Sequence, residues 1–213
     1  MKLYLVRHGE TDAKEKGKRQ TPDSPLSQKG KEQAEATGER LAKEEFDFIL
    51  SSRWPRAKQT AQIIAQKTHK KTKYLDNVHE RKHDPKLAGL ELESKLNNQY
   101  SQQMNKNYQD LDWKFLDGCE SLREAMARAK NVKDFLLKNF FDKTLVLVTH
   151  GIFLRCLWSI CVLGKENQDG VLLKLFHTPL FDNASISLIW YDEKHQLWRT
   201  EYLNNTEHLI KLA

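Results

Sequence analysis

The sequence predicts an α/β protein, a three-layer α/β/α sandwich with a mostly parallel central sheet and a small inserted cap region. Two fully apolar runs, residues 3–6 and 145–148, are typical of buried strands in a parallel sheet. Helical segments with recognisable start signals alternate with such strands along the chain. Because 213 residues can bury a sizeable core, we expect a single domain over residues 1–213, with an inserted segment around 84–120.

The first half of the chain shows clear helix starts and a loop. Ser27 can cap a helix, and Pro55 is well placed as the first residue of another. The polar segment 14–25 contains Gly17 and two prolines, so it is predicted to be a loop. The predicted elements here are strands at 3–6, 46–52 and 73–78, and helices at 27–44 and 55–66.

The second half begins with the polar, irregular segment 84–120, which we expect to form a partly helical insertion over the sheet edge. Ser121 and Glu124 fit a capping box, which predicts a long helix to about residue 141. The other predicted elements are a strand at 145–148, an apolar helix at 152–163, and a hairpin of strands at 184–191 and 197–203.

The composition excludes several classes of protein. The hydrophobic fraction of 39% and charged fraction of 30% are those of a globular chain. The longest apolar stretch, 152–163, is too short for a membrane span and contains Arg155, so we expect no membrane partner. The N-terminus lacks the pattern of a signal peptide. The three cysteines include no C-x-x-C pair, which indicates reduced thiols. A cytoplasmic location is therefore expected.

The net charge of +6 favours anionic partners or a merely basic surface. Basic residues cluster at 14–19 and 67–73, but no aromatic residues are interleaved with them. A surface of this kind lacks the stacking platform that single-stranded nucleic acid requires, so no nucleic-acid partner is expected. Phosphorylated small molecules are the other anionic class that the charge suits.

Two predicted strands end in a histidine followed by a glycine. His8, preceded by Arg7, follows the first strand, and His150 follows the strand at 145–148. Parallel strands have their carboxyl ends at one edge of the sheet, where ligands bind in open α/β folds. A cation and an imidazole at that edge suit an anionic substrate with His8 as nucleophile. If either strand end is considered alone, a solvated polar turn is the alternative to a functional site.

The run Arg7-His8-Gly9-Glu10-Thr11 after an N-terminal strand resembles the signature of the histidine phosphatase superfamily, the phosphoglycerate mutase-like proteins. Residues 51–61 resemble its second motif, in which the arginine before alanine binds phosphate; the match falls on Arg56 rather than Arg53. Residues 204–209 resemble the tail of the phosphatase branch. Ala13 and Lys14 stand where mutases generally carry a Trp-Asn pair, which counts against mutase activity.

The resemblance implies a mechanism and names its residues. His8 would carry a phosphoryl group, while Arg7, Arg56 and His150 would bind the phosphate, and His150 would also belong to the catalytic set. Glu80 lies in a segment that resembles the superfamily's acid segment and would be the general acid. No metal or cofactor is implied. The expected function is therefore hydrolysis of a phosphomonoester.

Several alternatives remain open at this stage. The expected substrate is a phosphorylated small molecule, and a phosphoprotein is the second substrate class. A phosphoglycerate mutase-like phosphotransferase is the alternative enzyme, and a catalytically weak phospho-ligand or protein binding module is the alternative of another class. Two segments differ from the pattern of the family. One is the set of glycines expected after the acid, and the other is the loop at 20–22. If Glu80 is not the acid, Asp84 or Glu91 is the next candidate.

One motif points to different chemistry. The run His79-Glu80-Arg-Lys-His83 matches H-E-x-x-H, the zinc protease pattern. That chemistry requires both histidines on one face of a helix, with the glutamate as base. The residues before His79 predict a strand, and Pro85 disfavours a helix that continues past residue 83. Zinc hydrolysis is therefore the least favoured alternative.

Overall fold

A computed structural model describes residues 1–164 and 169–212 of the chain. The described strands are β1 (Lys2–Arg7), β2 (Phe48–Ser52), β3 (Thr72–Leu75), β4 (Thr144–Thr149), β5 (Ile186–Asp192) and β6 (Leu197–Asn205). The described α-helices are α1 (Asp12–Glu15), α2 (Gln28–Leu41), α3 (Pro55–Thr68), α4 (Lys95–Lys106), α5 (Leu122–Phe140), α6 (Gly151–Leu163) and α7 (Asp169–His177).

The six strands form one mixed sheet in the order β3-β2-β4-β1-β5-β6. Within the group β1 to β4, neighbouring strands are parallel. Strands β5 and β6 extend the sheet as an antiparallel hairpin that pairs with β1. The prediction of an α/β sandwich with a mostly parallel sheet is confirmed. Strands β1 and β4 are parallel neighbours, and Arg7 pairs with Thr149 at their ends. The residues that follow these two strands therefore lie level at one edge of the sheet.

Alternating side chains of the central strands enter two separate apolar cores. On one face, Leu3 and Leu5 of β1 pack in a cluster with residues of α5 and α6. On the other face, Tyr4 and Val6 pack in a cluster with residues of α2 and α3. Both faces of the sheet are therefore covered by helices, as a buried parallel sheet requires.

The structure departs from the predicted elements in three places. Strand β3 ends at Leu75, and Asp76–Val78 form a short 3₁₀ helix instead of the predicted continuation. Helix α1 adds one turn beside the predicted loop, with Thr11 as its cap. Helix α7 was not predicted, because a helix of nine residues gives too short a periodic pattern.

Residues 84–120 contain helix α4 and a small apolar cluster of their own. Leu87, Tyr100 and Cys119 are buried in this cluster, with aromatic and leucine side chains around them. The segment lies at the carboxyl end of the parallel strands, since several of its residues line the cleft there. Across the described chain, no helix combines the length and apolar character needed to cross a membrane.

Candidate active site

His8 and His150 lie side by side at the carboxyl edge of the sheet. The parallel pairing of β1 with β4 brings the ends of both strands level, and the His8 backbone N–H donates to the Thr149 carbonyl at 2.9 Å. The two imidazole centroids are 5.2 Å apart. Both side chains are fully buried beneath the cleft. The structure thus brings together the two histidines that the sequence places at equivalent strand ends.

Two hydrogen bonds fix the tautomer of His8. The Gly9 carbonyl oxygen lies 2.7 Å from Nδ1 and can only accept, so Nδ1 carries the proton. Arg56 Nε lies 3.2 Å from Nε2 and can only donate, so Nε2 holds the lone pair. The imidazole is therefore neutral, with its lone-pair nitrogen on the side of a cation.

The electrostatic surroundings favour this neutral state. Burial lowers the pKa of His8 well below its ordinary value of 6.5, and the nearby cations Arg56 and Arg7 lower it further. Burial likewise lowers the pKa of His150, with Arg56 again contributing. Both imidazoles are thus unprotonated at neutral pH, the state in which a ring nitrogen has a free lone pair.

Arg56 lies in the first turn of α3, which Pro55 begins and which directs the guanidinium toward β1. The side chain is almost fully buried and lies over the Trp54 ring at 4.8 Å. Its Nη1 donates to the carbonyls of Thr21 at 2.9 Å and Pro22 at 3.4 Å. Burial lowers its pKa to about 10, so the group is still a cation at neutral pH. Arg56 is therefore held rigidly against His8.

Two buried side-chain nitrogen atoms at the histidines have no partner within the described residues. They are Arg7 Nε and His150 Nδ1. The Arg7 side chain donates through Nη1 to the Phe181 carbonyl at 2.6 Å. The Ser52 hydroxyl oxygen accepts from the Trp54 N–H and lies 3.0 Å from His150 Nε2, so it can donate its own proton there, and in that arrangement Nδ1 of the neutral ring carries the proton. Unsatisfied buried donors are rare in folded proteins, and here they are suited to an anion.

Glu80 accepts hydrogen bonds from the backbone at the start of α6. Its carboxylate accepts from the N–H groups of Ile152 at 3.2 Å and Phe153 at 3.1 Å, and from its own neighbour Arg81 at 2.9 Å. Helix α6 follows His150 directly, so this contact ties Glu80 to the second histidine. Glu80 also lines the cleft and is close enough to Arg7 and Arg56 to influence their pKa values.

The next carboxylates have other partners. Asp84 accepts from the backbone N–H groups of Lys86 and Gly118, which shapes the loop. Glu91 is exposed and pairs with Lys18 at 3.2 Å. Arg53, interpreted from the sequence as a surface charge, is exposed and pairs with Asp76. Among these groups, Glu80 is the carboxylate that lines the cleft.

Sequence reasoning missed several supporting residues. Asn183 Nδ2 donates to the carbonyls of His8 and Gly9, and Thr60 Oγ accepts from the Gly9 N–H at 3.2 Å. Both are buried and lie far from residue 8 in the sequence. Two of these residues had a signal in the sequence. Thr60 and Ser52 lie in residues 51–61, which resemble the second motif of the family, and Ser52, which contacts His150, is also polar at the end of an apolar strand.

The geometry contradicts the zinc alternative. Residues 79–84 contain no helix, so His79 and His83 do not share a helical face. His79 stacks on Trp54, whereas His83 lies edge-on to Tyr100. The described residues contain no group of three or more His, Cys, Asp or Glu side chains that could hold a metal ion.

The cleft above the histidines has a volume of about 650 Å³. Its floor includes Arg56, Glu80 and Trp54, and residues of the loop at 14–22 and of the inserted segment form its walls. A cavity of this size suits a small molecule.

A model of the histidine phosphatase superfamily (branch 1) matches residues 3–206. The chain is 30% identical over 210 residues to phosphoserine phosphatase 1 of Hydrogenobacter thermophilus, covering 98% of this chain and 94% of that protein. It is 32% identical over 215 residues to the protein named probable phosphoglycerate mutase GpmB of Salmonella choleraesuis, covering 98% and 95%.

Phosphoserine phosphatase of Entamoeba histolytica in complex with 3-phosphoglyceric acid has a similar structure. Its TM-score is 0.74 at 26% identity, covering 98% of this chain and 99% of that one. The family match extends over nearly the whole chain and includes His8 and His150 at the ends of their strands. The chain therefore belongs to the histidine phosphatase superfamily.

Proposed function

We propose that the protein hydrolyses phosphomonoesters of small molecules in two steps, through a phosphohistidine on Nε2 of His8. The observation that carries this proposal is the pair of one-directional hydrogen bonds to His8. The Gly9 carbonyl keeps the proton on Nδ1, and Arg56 donates to Nε2, the nitrogen that would attack phosphorus.

In the first step, His8 Nε2 attacks phosphorus while the bond from phosphorus to the ester oxygen breaks. Arg56, Arg7 Nε and His150 Nδ1 would donate to the phosphoryl oxygens, which carry the negative charge. The leaving alkoxide would take a proton from Glu80 in its carboxylic acid form.

In the second step, water attacks the phosphohistidine and inorganic phosphate leaves. Glu80, now a carboxylate, would accept the proton of the attacking water, which restores the starting state. The position of Glu80 at the cleft surface supports both roles. The chain's own cations supply the charge stabilisation, so we propose a reaction without a metal ion or cofactor.

Membership of the superfamily and the names of the relatives support this proposal. Relatives include a phosphoserine phosphatase at 30% identity and one crystallised with 3-phosphoglyceric acid. Small phosphorylated metabolites are the substrate class that we propose for this chain, since the cleft of about 650 Å³ holds a small molecule better than a folded protein surface.

The test is to trap the phosphoenzyme. Rapid quenching after mixing with ³²P-labelled substrate should give a label that is stable in base and lost in acid. The label should be absent in His8→Ala and present in the control His177→Ala, which removes an exposed histidine far along the chain. A label that persists in His8→Ala would overturn the assignment of His8.

One relative gives a specific reason to test phosphoryl transfer as a second candidate. The similarity to the probable phosphoglycerate mutase is as strong as that to the phosphatase. A mutase returns the phosphoryl group to an organic acceptor, whereas a phosphatase passes it to water. Incubation with 3-phosphoglycerate separates the two, because phosphatase activity yields inorganic phosphate and mutase activity yields 2-phosphoglycerate.

A further inference from the structure

The cleft carries more positive charge than one phosphate group requires. Lys14 and Lys18 line it but form ion pairs with nearby glutamates at 3.6 and 3.2 Å. Arg19, Arg81 and Lys82 also line it, and none of them forms an ion pair with a carboxylate in residues 1–164 and 169–212. Unneutralised cations in a concave site raise the local concentration of anions.

Among these cations, Arg19 is held in a fixed position. Its Nε donates to Asn97 Oδ1 at 2.8 Å, and its Nη2 donates to the same oxygen. The guanidinium lies over the Tyr100 ring, 4.4 Å from the centroid. Asn97 is itself held by the Leu92 carbonyl, to which its Nδ2 donates at 2.6 Å.

The platform beneath Arg19 is rigid and neutral. Asn97 and Tyr100 are 3% and 5% exposed, on consecutive turns of α4. Arg19 Nη1 forms no hydrogen bond to any described residue. A guanidinium that is oriented by a neutral amide and an aromatic ring, with donors remaining, is prepared for an anionic ligand.

Arg19 is also close to the phosphate end of the cleft. It lies two residues before Thr21, whose carbonyl accepts a hydrogen bond from Arg56. Two residues of extended chain span at most about 7 Å, so the backbone of Arg19 lies near the point where the guanidinium of Arg56, which comes from α3, contacts the loop. Both side chains line the same cleft, so one small molecule can contact both.

We propose that Arg19 binds a second anionic group of the substrate, a carboxylate or a second phosphate, while Arg56 binds the phosphate that is transferred. This inference rests on the proposed function and names its substrate class: small phosphomonoesters that carry another negative group. Arg81 and Lys82 add attraction, but Arg19 supplies the directed hydrogen bonds.

The test measures binding in a His8→Ala background, which separates it from turnover. Dissociation constants are measured for two pairs of ligands that differ in the second anion. The first pair is 3-phosphoglycerate and glycerol 3-phosphate, and the second is fructose 1,6-bisphosphate and fructose 6-phosphate. In at least one pair, the ligand with two anionic groups should bind at least about tenfold more tightly, as a charge-assisted hydrogen bond provides.

The pair that shows the preference identifies the second anion as a carboxylate or a phosphate. Adding Arg19→Gln should abolish the preference, and Arg19→Lys should restore part of it because the charge returns. The matched control is Lys16→Gln, which removes an exposed charge of the same loop that does not line the cleft. This control should keep the preference within about twofold, which is near the scatter of small surface effects.

The inference would be overturned by no preference in either pair, by a preference that survives Arg19→Gln, or by equal loss in Arg19→Lys and Arg19→Gln. Loss of the preference in Lys16→Gln would also overturn it, because general surface charge would then be the cause. The proposed function is tested separately with the wild-type chain and p-nitrophenyl phosphate, which has no second anion. Failure to release phosphate from that ester would contradict the function and leave the binding result intact.

Discussion

The protonation state of His8 depends on residues that lie next to it in space. The Gly9 carbonyl and the Arg56 guanidinium each permit one direction of hydrogen bonding, and together they leave one tautomer. Sequence reasoning could place His8 at a strand end beside Arg7, because an apolar strand followed by polar residues is a local pattern. The tautomer could not be predicted, since it depends on a side chain 48 residues away.

For Glu80, the decisive change is Glu80→Gln. Glutamine keeps the size of the side chain and its carbonyl oxygen can still accept from the N–H of Phe153 at the start of α6, but it has no carboxyl proton to donate. An alkyl phosphate leaves as a basic alkoxide and needs that proton, whereas nitrophenolate leaves without it. We expect phosphoenzyme formation to fall about 10²- to 10⁴-fold for an alkyl phosphate and far less for p-nitrophenyl phosphate.

This measurement requires single-turnover conditions, because Glu80 would also assist hydrolysis of the phosphoenzyme and obscure the contrast at steady state. The matched control is Glu91→Gln, which changes an exposed glutamate of the inserted segment. It should leave both rates of phosphoenzyme formation unchanged. Equal defects for the two esters in Glu80→Gln would remove Glu80 as the acid.

Activity should also persist without a metal ion. Of the proposed donors to the phosphate, Arg7 and Arg56 already supply the positive charge that a metal would provide, and His150 adds a neutral hydrogen bond. Dialysis against EDTA should leave the hydrolysis of p-nitrophenyl phosphate within about twofold of its starting value, a change too small for loss of a catalytic ion. Activity that disappears with EDTA and returns with zinc would contradict the proposed mechanism.

The turn after β1 packs directly against helix α2. A Cβ on Gly30 would overlap the Glu10 carbonyl oxygen, and a Cβ on Gly9 would overlap the Gly30 carbonyl oxygen. The obstacle in both cases is backbone, which cannot move aside as a flexible side chain can. The two glycines thus allow α2 to approach the turn whose carbonyl orients His8.

Gly30→Ala should therefore destabilise the protein although alanine is the better helix former. Replacing glycine inside a helix normally contributes about 1 kcal/mol of stability. Here we expect a loss of about 1–3 kcal/mol, the usual cost of forcing extra volume into a packed site. Urea denaturation measures the free energy of unfolding, and kcat should also fall because the Gly9 carbonyl shifts.

Gly170→Ala in α7 is the matched control, since a Cβ there meets no atom within 4 Å. It should be neutral or slightly stabilising. Equal effects of the two substitutions would show that the contact with Glu10 has no energetic consequence.

Most of the elements could be predicted because their signals are local. The capping box at Ser121 and Glu124 forms as expected, and α5 ends at Phe140, one residue before the predicted end. The end of β3 at Leu75 could not be predicted, because Val78 is apolar and continues the pattern. In the structure Val78 is buried in the core from a 3₁₀ turn, so burial alone does not distinguish the two conformations.

Across the whole molecule, the parts that the sequence could not specify are the walls of the cleft. The pairing of Arg19 with Asn97 joins the loop after β1 to the inserted segment, 78 residues further along the chain. Neither segment has a strong periodic pattern, so nothing in the sequence aligns them. The central strands could be predicted because hydrophobic runs report burial directly, whereas a polar wall depends on contacts between distant loops.

The stability of the whole protein should depend on pH through its buried imidazoles. Burial lowers the pKa of His8, His150 and His83 in the folded state, the last to about 4, while the unfolded chain titrates near 6.5. Below pH 6.5 the unfolded state therefore binds more protons than the folded state. The stabilisation is complete above that pH and is lost as the pH falls toward the folded values.

Each such imidazole should make the free energy of unfolding fall by about 1.4 kcal/mol per pH unit once the unfolded form is protonated. The carboxylates whose pKa is lowered, such as Glu120, act in the same direction only below about pH 4.5. Urea denaturation between pH 7.5 and 5 therefore isolates the histidines. His8→Asn should therefore reduce the slope of the free energy of unfolding against pH, below pH 6.5, by the contribution of one proton. An undiminished slope in His8→Asn would mean that His8 is protonated in the folded protein, which is incompatible with a neutral nucleophile held between Arg56 and the Gly9 carbonyl.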